Sequence, residues 1–241
     1  YAMLMSISLI VPFGLIFYNL ISAVSNSDFH MRAPLRFAMG ALSLASLGLA
    51  AEVSQSTIAV GSQLQQTYDA WAATHFTLIG FGLFGGFAAI SYWYPKMTGR
   101  LLNEDRARIS FWVMFAGTLI ALLPLFAAGV EGQVTDSYRF FSDEGVSGFN
   151  LIATVGTLVL FVGVILAIGN LIRSRKEGEQ ATPDPWRGQS LEWLALSPPA
   201  PHNFDVLPDV RSTQPMRDIR ESLVRREAGQ ETPAGDTQPV A

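Results

Sequence analysis

Long apolar runs separated by short polar connectors dominate the first 172 residues. A helix that crosses a membrane needs about 20 mostly apolar residues. Five runs reach that length: Met3–Val24, Phe37–Val60, Ala70–Tyr94, Ile109–Val130 and Val146–Ile172. Each is too long for a strand and is bounded by Pro, Asn, Gly or charged residues. The strict apolar–polar alternation of porin strands is absent. The pattern predicts an all-α fold, a polytopic membrane helix bundle over residues 1–172. Its five transmembrane helices fall at about 3–24, 37–60, 70–94, 109–130 and 146–172.

After Ile172 the chain becomes charged and rich in Pro, Gly and Gln. Residues 173–211 read as an extended cytoplasmic tail packed on the bundle. Asp184-Pro185-Trp186, Leu191-Glu192-Trp193 and Ser197-Pro198-Pro199 carry that reading, because a pair of exposed Trp is costly in water. Residues 212–241 read as a disordered tail.

Composition sharpens this picture. Charged residues make up 15% of the chain and hydrophobic residues 49%. Soluble domains run near 25% charged, so an ordinary cytosolic globule is excluded. The net charge of −4 argues against a nucleic-acid partner, which needs a basic face. With no Cys, disulfides, thiolate metal sites, iron–sulfur clusters and Cys nucleophiles are all excluded. Tyr1-Ala2-Met3 opens the chain with no basic n-region, and no A-x-A site follows the first run. A signal peptide is not expected; a fragment whose N-terminal part is missing is.

Basic residues set the orientation. Arg32, Arg36, Lys96, Arg100, Arg106, Arg108, Arg173, Arg175 and Lys176 fall on one side of a five-span bundle, and Arg139 alone on the other. The rich side, with the C-terminus, is expected to be cytoplasmic, in the bacterial inner membrane.

Two ionisable residues, Glu52 and His75, lie well inside predicted spans. A charged Asp, Lys or Arg there costs about 2.5–3.5 kcal/mol, which makes such positions functional candidates. Both are expected roughly two turns below the outer surface. Three roles fit His75: an axial ligand to heme iron, a partner of Glu52, or a packing histidine. Gly80, Gly82, Gly85 and Gly86 follow it, fitting either close helix packing or a flat macrocycle lying on the helix. Asp69, Gln65, Gln66, Glu131 and Asp136 gather at the outer ends of helices. They fit a hard cation such as Mg²⁺, although solvated loop carboxylates are the simpler reading. No Walker loop, H-E-x-x-H, G-x-S-x-G or dinucleotide fingerprint is present.

Several motifs carry a resemblance. Tyr92-Trp93-Tyr94-Pro95-Lys96-Met97-Thr98-Gly99-Arg100-Leu101-Leu102-Asn103-Glu104 resembles the turn after the tenth helix of cytochrome c oxidase subunit I, of the heme–copper oxidase family. Ile109-Ser110-Phe111-Trp112 resembles the start of its eleventh helix, and Phe149 through Gly156 its twelfth. The Pro- and Trp-containing tail, with His202-Asn203-Phe204, resembles the cytoplasmic tail of bacterial members. The resemblance covers about residues 10–211 and implies the last five of twelve helices.

In the family, the tenth helix carries His-Phe-His, whose first His binds the high-spin heme and whose second binds the low-spin heme. Gapless counting back from Pro95 places Ala73 at the first position and His75 at the second; read by eye, His75-Phe76-Thr77 instead keeps the first His and loses the second, and either register leaves one of the two heme ligands. In the gapless register, the one adopted, the resemblance implies His75 as the low-spin heme ligand and removes the high-spin one. The His-Asp pair that helps bind Mg²⁺ is replaced by Gln65 and Gln66. The Pro-Arg-Arg that grips heme propionates is replaced by Val134, Thr135 and Asp136.

The resemblance implies electron transfer from cytochrome c to oxygen with proton translocation in aerobic respiration. It also implies subunit II and III type partners, the missing N-terminal helices of the same subunit, membrane lipid, a low-spin heme, and a high-spin heme with copper. The substitutions point instead to a divergent paralogue with at most one low-spin heme and no oxygen reduction, or to a purely structural subunit in which His75 pairs with Glu52.

Overall fold

The computed structural model describes residues 10–25, 30–136, 145–204 and 212–227, together with residues 4, 7, 8 and 210. The helices, in chain order, are α1 (Ile10–Ser25), α2 (Ala33–Gln55), α3 (Ile58–Leu64), α4 (Tyr68–Leu78), α5 (Gly85–Thr98), α6 (Glu104–Val130), α7 (Ser147–Glu177) and α8 (Pro215–Glu227). A π-helical segment, Ile79–Phe84, joins α4 to α5, so residues 68–98 form one long rod. No strand forms among the described residues, which bears out the all-α membrane-bundle class.

Four helices are long and apolar enough to cross a membrane: Ala33–Gln55, Tyr68–Thr98, Glu104–Val130 and Ser147–Glu177. The fifth expected span, 3–24, is described as the 16-residue α1. At about 1.5 Å per residue, that described stretch alone falls short of a full crossing. Residues 1–3, 5, 6 and 9 lie outside the described residues.

The second span differs from expectation at both ends. It starts at Ala33 because Pro34 suits a first helical turn and because Glu104 caps it. The Glu104 carboxylate accepts the Ala33 N–H at 3.0 and 3.1 Å and pairs with Arg36 at 3.5 Å. It ends at Gln55, five residues early. The Ser54, Ser56 and Thr57 hydroxyls donate to carbonyls three residues back, and Thr57 is extended, with ψ 138°. Such side chains compete with the helical backbone and break it.

The chain divides into two compact units, residues 1–93 with 102–178, and residues 94–101 with 179–241. In the first, α6 and α7 run antiparallel at close range. A Cβ built on Gly156 would lie 2.2 Å from the Ala121 nitrogen. One on Gly117 would lie 2.4 Å from the Leu160 nitrogen, and one on Gly163 2.6 Å from the Met114 nitrogen. Three glycines along one seam let the two backbones approach, the packing that lipid-embedded helices favour. The core beside this seam is aromatic. Phe37 stacks on Phe87 at 5.5 Å and meets Phe111 edge-on at 5.4 Å. The π segment turns Phe84, fully buried, into the same cluster.

Polar pairs close both ends of this unit. At one end Asn103 caps α6 by accepting from the Arg106 N–H at 2.9 Å. Its own N–H donates to Ser174 Oγ at 3.1 Å, and its carbonyl accepts from Asn170 Nδ2 at 3.0 Å. At the other end Gln133 and Asn150 exchange side-chain amide bonds at 2.9 and 3.4 Å.

In the second unit Gly99, with φ +71°, turns the chain. Its carbonyl accepts from the Ala181 N–H at 2.9 Å, and the Leu101 N–H donates to Glu179 at 2.8 Å. Trp193 is fully buried and lies against Gly188, where a Cβ would stand 2.2 Å from its ring. Lys96 sits 5.3 Å from the same ring and donates to the Ala195 carbonyl. The disordered reading of residues 212–241 is corrected over part of its length. Pro215–Glu227 forms a helix, because Arg220 pairs with Asp184 at 3.1 Å and donates to the Gly188 carbonyl at 2.6 Å. Met216 is buried, and Arg217 and Glu221 add an i,i+4 pair. Residues 228–241 lie outside the described residues.

The α6–α7 seam gives a first prediction. Gly156→Val should lower the thermal midpoint of the detergent-solubilised protein, because overpacking of this kind costs about 1–3 kcal/mol. Gly169→Ala, where a Cβ meets nothing within 4 Å, should leave the midpoint unchanged. Fluorescence-detected size-exclusion melts would read both. Equal midpoints would show that backbone approach does not limit this pair.

Candidate functional site

The first turns of α4 are built from Thr67-Tyr68-Asp69-Ala70-Trp71-Ala72-Ala73-Thr74-His75. Thr67 is the N-cap, and its Oγ1 accepts from the Asp69 N–H at 3.3 Å. Two glycines on neighbouring helices and one on the rod itself fix which face of this rod is buried. A Cβ on Gly129 would stand 2.1 Å from the Asp69 nitrogen, and one on Gly48 2.6 Å from the Ala73 carbonyl. Gly80, on the rod itself, lies as close to the Ala41 carbonyl and Ala45 of α2. Ala72, Ala73 and Phe76 are consequently fully enclosed, while Trp71 is 39% exposed and His75 half-buried.

His75 has a defined local environment. Its Nδ1 lies 2.8 Å from the Trp71 carbonyl oxygen one turn earlier, and its ring stacks on the Trp71 indole with centroids 3.5 Å apart and 18° between planes. A carbonyl oxygen only accepts, so Nδ1 carries the proton. In the neutral imidazole the lone pair then sits on Nε2. A metal-binding histidine is commonly held this way, with the second nitrogen donating to a carbonyl or carboxylate.

Glu52 turns elsewhere. It lies one turn from the end of α2 rather than two, because the helix stops at Gln55. Its Oε1 lies 3.5 Å from Thr77 Oγ1, which also reaches the Ala73 carbonyl at 3.4 Å. The structure thus gives Glu52 and His75 different partners.

The acidic cluster is also divided. Asp69 is buried, and its Oδ1 accepts from Gln55 Nε2 at 2.5 Å, so it is not a solvated carboxylate. Glu131 and Asp136 are exposed. Among the described residues no group of three or more His, Asp or Glu is placed to hold a metal ion. Gln66 and Thr135 bind one another instead. The Thr135 N–H donates to the Gln66 carbonyl at 3.2 Å, Thr67 and Val134 form an antiparallel bridge, and the Tyr68 N–H donates to the Gln133 carbonyl at 3.0 Å.

The donor chemistry at His75 fits one axial bond to a heme iron. The position two residues earlier does not fit a second. The Ala73 methyl has no donor atom, and it is fully buried against α2. Sequence reasoning missed three neighbours: Trp71, Gln55 and Thr77. Trp71 was legible, since it stands four residues before His75 and therefore one helical turn away. The Gln55–Asp69 and Glu52–Thr77 contacts depend on where α2 ends, which periodicity locates poorly.

The family model described as Cytochrome C and Quinol oxidase polypeptide I matches residues 1–159. The chain is 32% identical over 214 residues to "Probable cytochrome c oxidase subunit 1-beta" of Nocardia farcinica, covering 88% of this chain and 36% of that protein. It is 31% identical over 212 residues to "Cytochrome c oxidase subunit 1" of Alkalihalophilus pseudofirmus, covering 88% and 34%. It is 34% identical over 207 residues to "Cytochrome c oxidase subunit 1" of Corynebacterium diphtheriae, covering 85% and 37%. The chain spans about a third of the length of these relatives. It belongs to the cytochrome c and quinol oxidase polypeptide I family.

The buried Gln55–Asp69 pair is testable. Gln55→Leu leaves a buried carboxylate without its donor and should cost at least the ~1–3 kcal/mol of an unsatisfied polar group. The double variant Gln55→Leu/Asp69→Leu should recover part of that loss. Thermal melts of the four proteins would give the coupling; additive losses would show that the two side chains do not depend on each other.

Proposed function

We propose that this chain is the C-terminal helical part of a subunit I-like respiratory membrane protein in which His75 gives one axial bond to a low-spin heme iron. The observation that carries the proposal is the His75 ring. Its Nδ1–H is committed to the Trp71 carbonyl, and its Nε2 lone pair remains for a ligand. When bound, the heme would supply one-electron transfer at its iron. The chain's own part is to hold the imidazole at a set height on a rod that α2 and α6 keep from turning. The second axial ligand is assigned, by the family resemblance, to a helix outside this chain.

Family membership favours a second reading, in which the full subunit passes electrons from cytochrome c to oxygen at a high-spin heme and copper, translocates protons, and works with subunit II and III type partners. That reading requires a high-spin iron ligand from somewhere other than Ala73. Both readings place the protein in a bacterial cytoplasmic membrane, with the basic ends of α2, α5, α6 and α7 and the C-terminus on the cytoplasmic side.

Spectra of the purified full-length protein separate the two. One CO-insensitive heme without copper is the expected result, and His75→Ala should abolish its bis-histidine spectrum. Two hemes, one binding CO, together with copper would establish the second reading. An unchanged low-spin spectrum in His75→Ala would overturn the assignment of His75.

A further inference from the structure

Trp71 is absorbed neither by the bundle core nor by the pairs that close the helix ends. It is 39% exposed, and its stacked ring partner is His75 on the same helix. Its ring lies on the His75 imidazole at 3.5 Å and 18°. Tyr68, one turn earlier, meets the indole edge-on at 6.0 Å and 60°. The Trp71 backbone carbonyl is at the same time the acceptor for His75 Nδ1. One residue therefore supplies both restraints on the imidazole: a flat surface that limits rotation about its side-chain bonds, and an acceptor that selects its tautomer.

We propose that Trp71 is the positioning residue for His75, holding the imidazole plane and the Nδ1–H tautomer so that Nε2 is presented to a heme iron in one orientation. This inference rests on the low-spin reading of His75. The carbonyl is present whatever side chain stands at position 71, so the indole is the part that substitution can remove. Without the stack, other rotamers of His75 open and the Nδ1–H···O bond is no longer enforced. A free imidazole in water favours the other tautomer, so loss of the bond is visible as a change of protonated nitrogen. Phe retains a flat ring at this position; Leu does not.

Two measurements on the full-length protein test this, and they fail separately. In protein produced without heme in lipid nanodiscs, ¹⁵N-histidine spectra should show His75 protonated at Nδ1, its resonance being the one missing in His75→Ala. Trp71→Leu should move the proton to Nε2, and Trp71→Phe should keep it at Nδ1. In the heme-loaded protein, Trp71→Leu should shift the highest g value of the oxidised low-spin signal, which follows the orientation of the imidazole plane. Trp71→Phe should restore it.

An Nε2–H tautomer in the unsubstituted protein, or a Leu variant with unchanged tautomer and g values, would overturn the role of Trp71. A Trp that merely anchors the helix at the membrane surface predicts that second result. A low-spin signal that survives His75→Ala would overturn the heme reading itself, and the tautomer series would still report whether the indole sets the ring.

Discussion

The rotation of one rod governs the rest of this structure. The rod Tyr68–Thr98 is clamped by Gly48 and Gly129 on its neighbours and by its own Gly80, each a place where a single methyl group would strike backbone atoms within 3 Å. Such contacts tolerate little turning about the helix axis, because interiors are close-packed and transmit strain. With that rotation set, Asp69, Ala72, Ala73 and Phe76 must face protein, and Trp71, His75 and Leu78 must face outward. The chemistry open to His75 follows from this: an imidazole turned away from α2 has its own helix as the source of a fixed acceptor.

The same clamp explains why polar residues at the helix ends bind one another. In a lipid environment an unpaired polar group costs several kcal/mol, and the ends of α2, α4, α6 and α7 bring many such groups together. They are satisfied internally. Gln55 is paired with Asp69, Gln133 with Asn150, Gln66 with Thr135, and Asn103 with Ser174 and Asn170. Among the described residues no buried side-chain nitrogen or oxygen lacks a partner. Of the positions that the family resemblance associates with Mg²⁺ and heme propionates, Gln66, Val134 and Thr135 are taken up in this pairing.

Much of this was legible from the chain alone. The long apolar runs coincide with the four helices long enough to span, with ends within about five residues, and the Tyr92-Trp93-Tyr94-Pro95-Lys96-Met97 turn resembles the family's. What escaped is physically instructive. The early stop of α2 comes from Ser54, Ser56 and Thr57 bonding back onto their own helix, a local competition that hydropathy does not register. The helix at Pro215–Glu227 comes from Arg220 reaching Asp184 more than thirty residues away, which no compositional rule detects. At the site, the spacing placed His75 in a span and the resemblance named its role, but neither showed which ring nitrogen would be free. That depends on a side-chain rotamer, and the rotamer depends on a stack with Trp71.

Residues two apart on an α-helix point about 200° apart. A single helix can therefore serve two cofactors only if both its faces carry a ligand and neither is needed for packing. Here the face of Ala73 is closed by α2 at Gly48, where the Thr77 hydroxyl and the Ala73 carbonyl occupy the space a side chain would take. The small Ala73 side chain is fully buried where these two helices touch. His75 lies on the other face, half-buried against Trp71 of its own helix. A bundle arranged this way leaves the His75 Nε2 unused by its own helix, while position 73 is taken up in packing. That asymmetry between residues 73 and 75 is the structural support for the low-spin role proposed for His75.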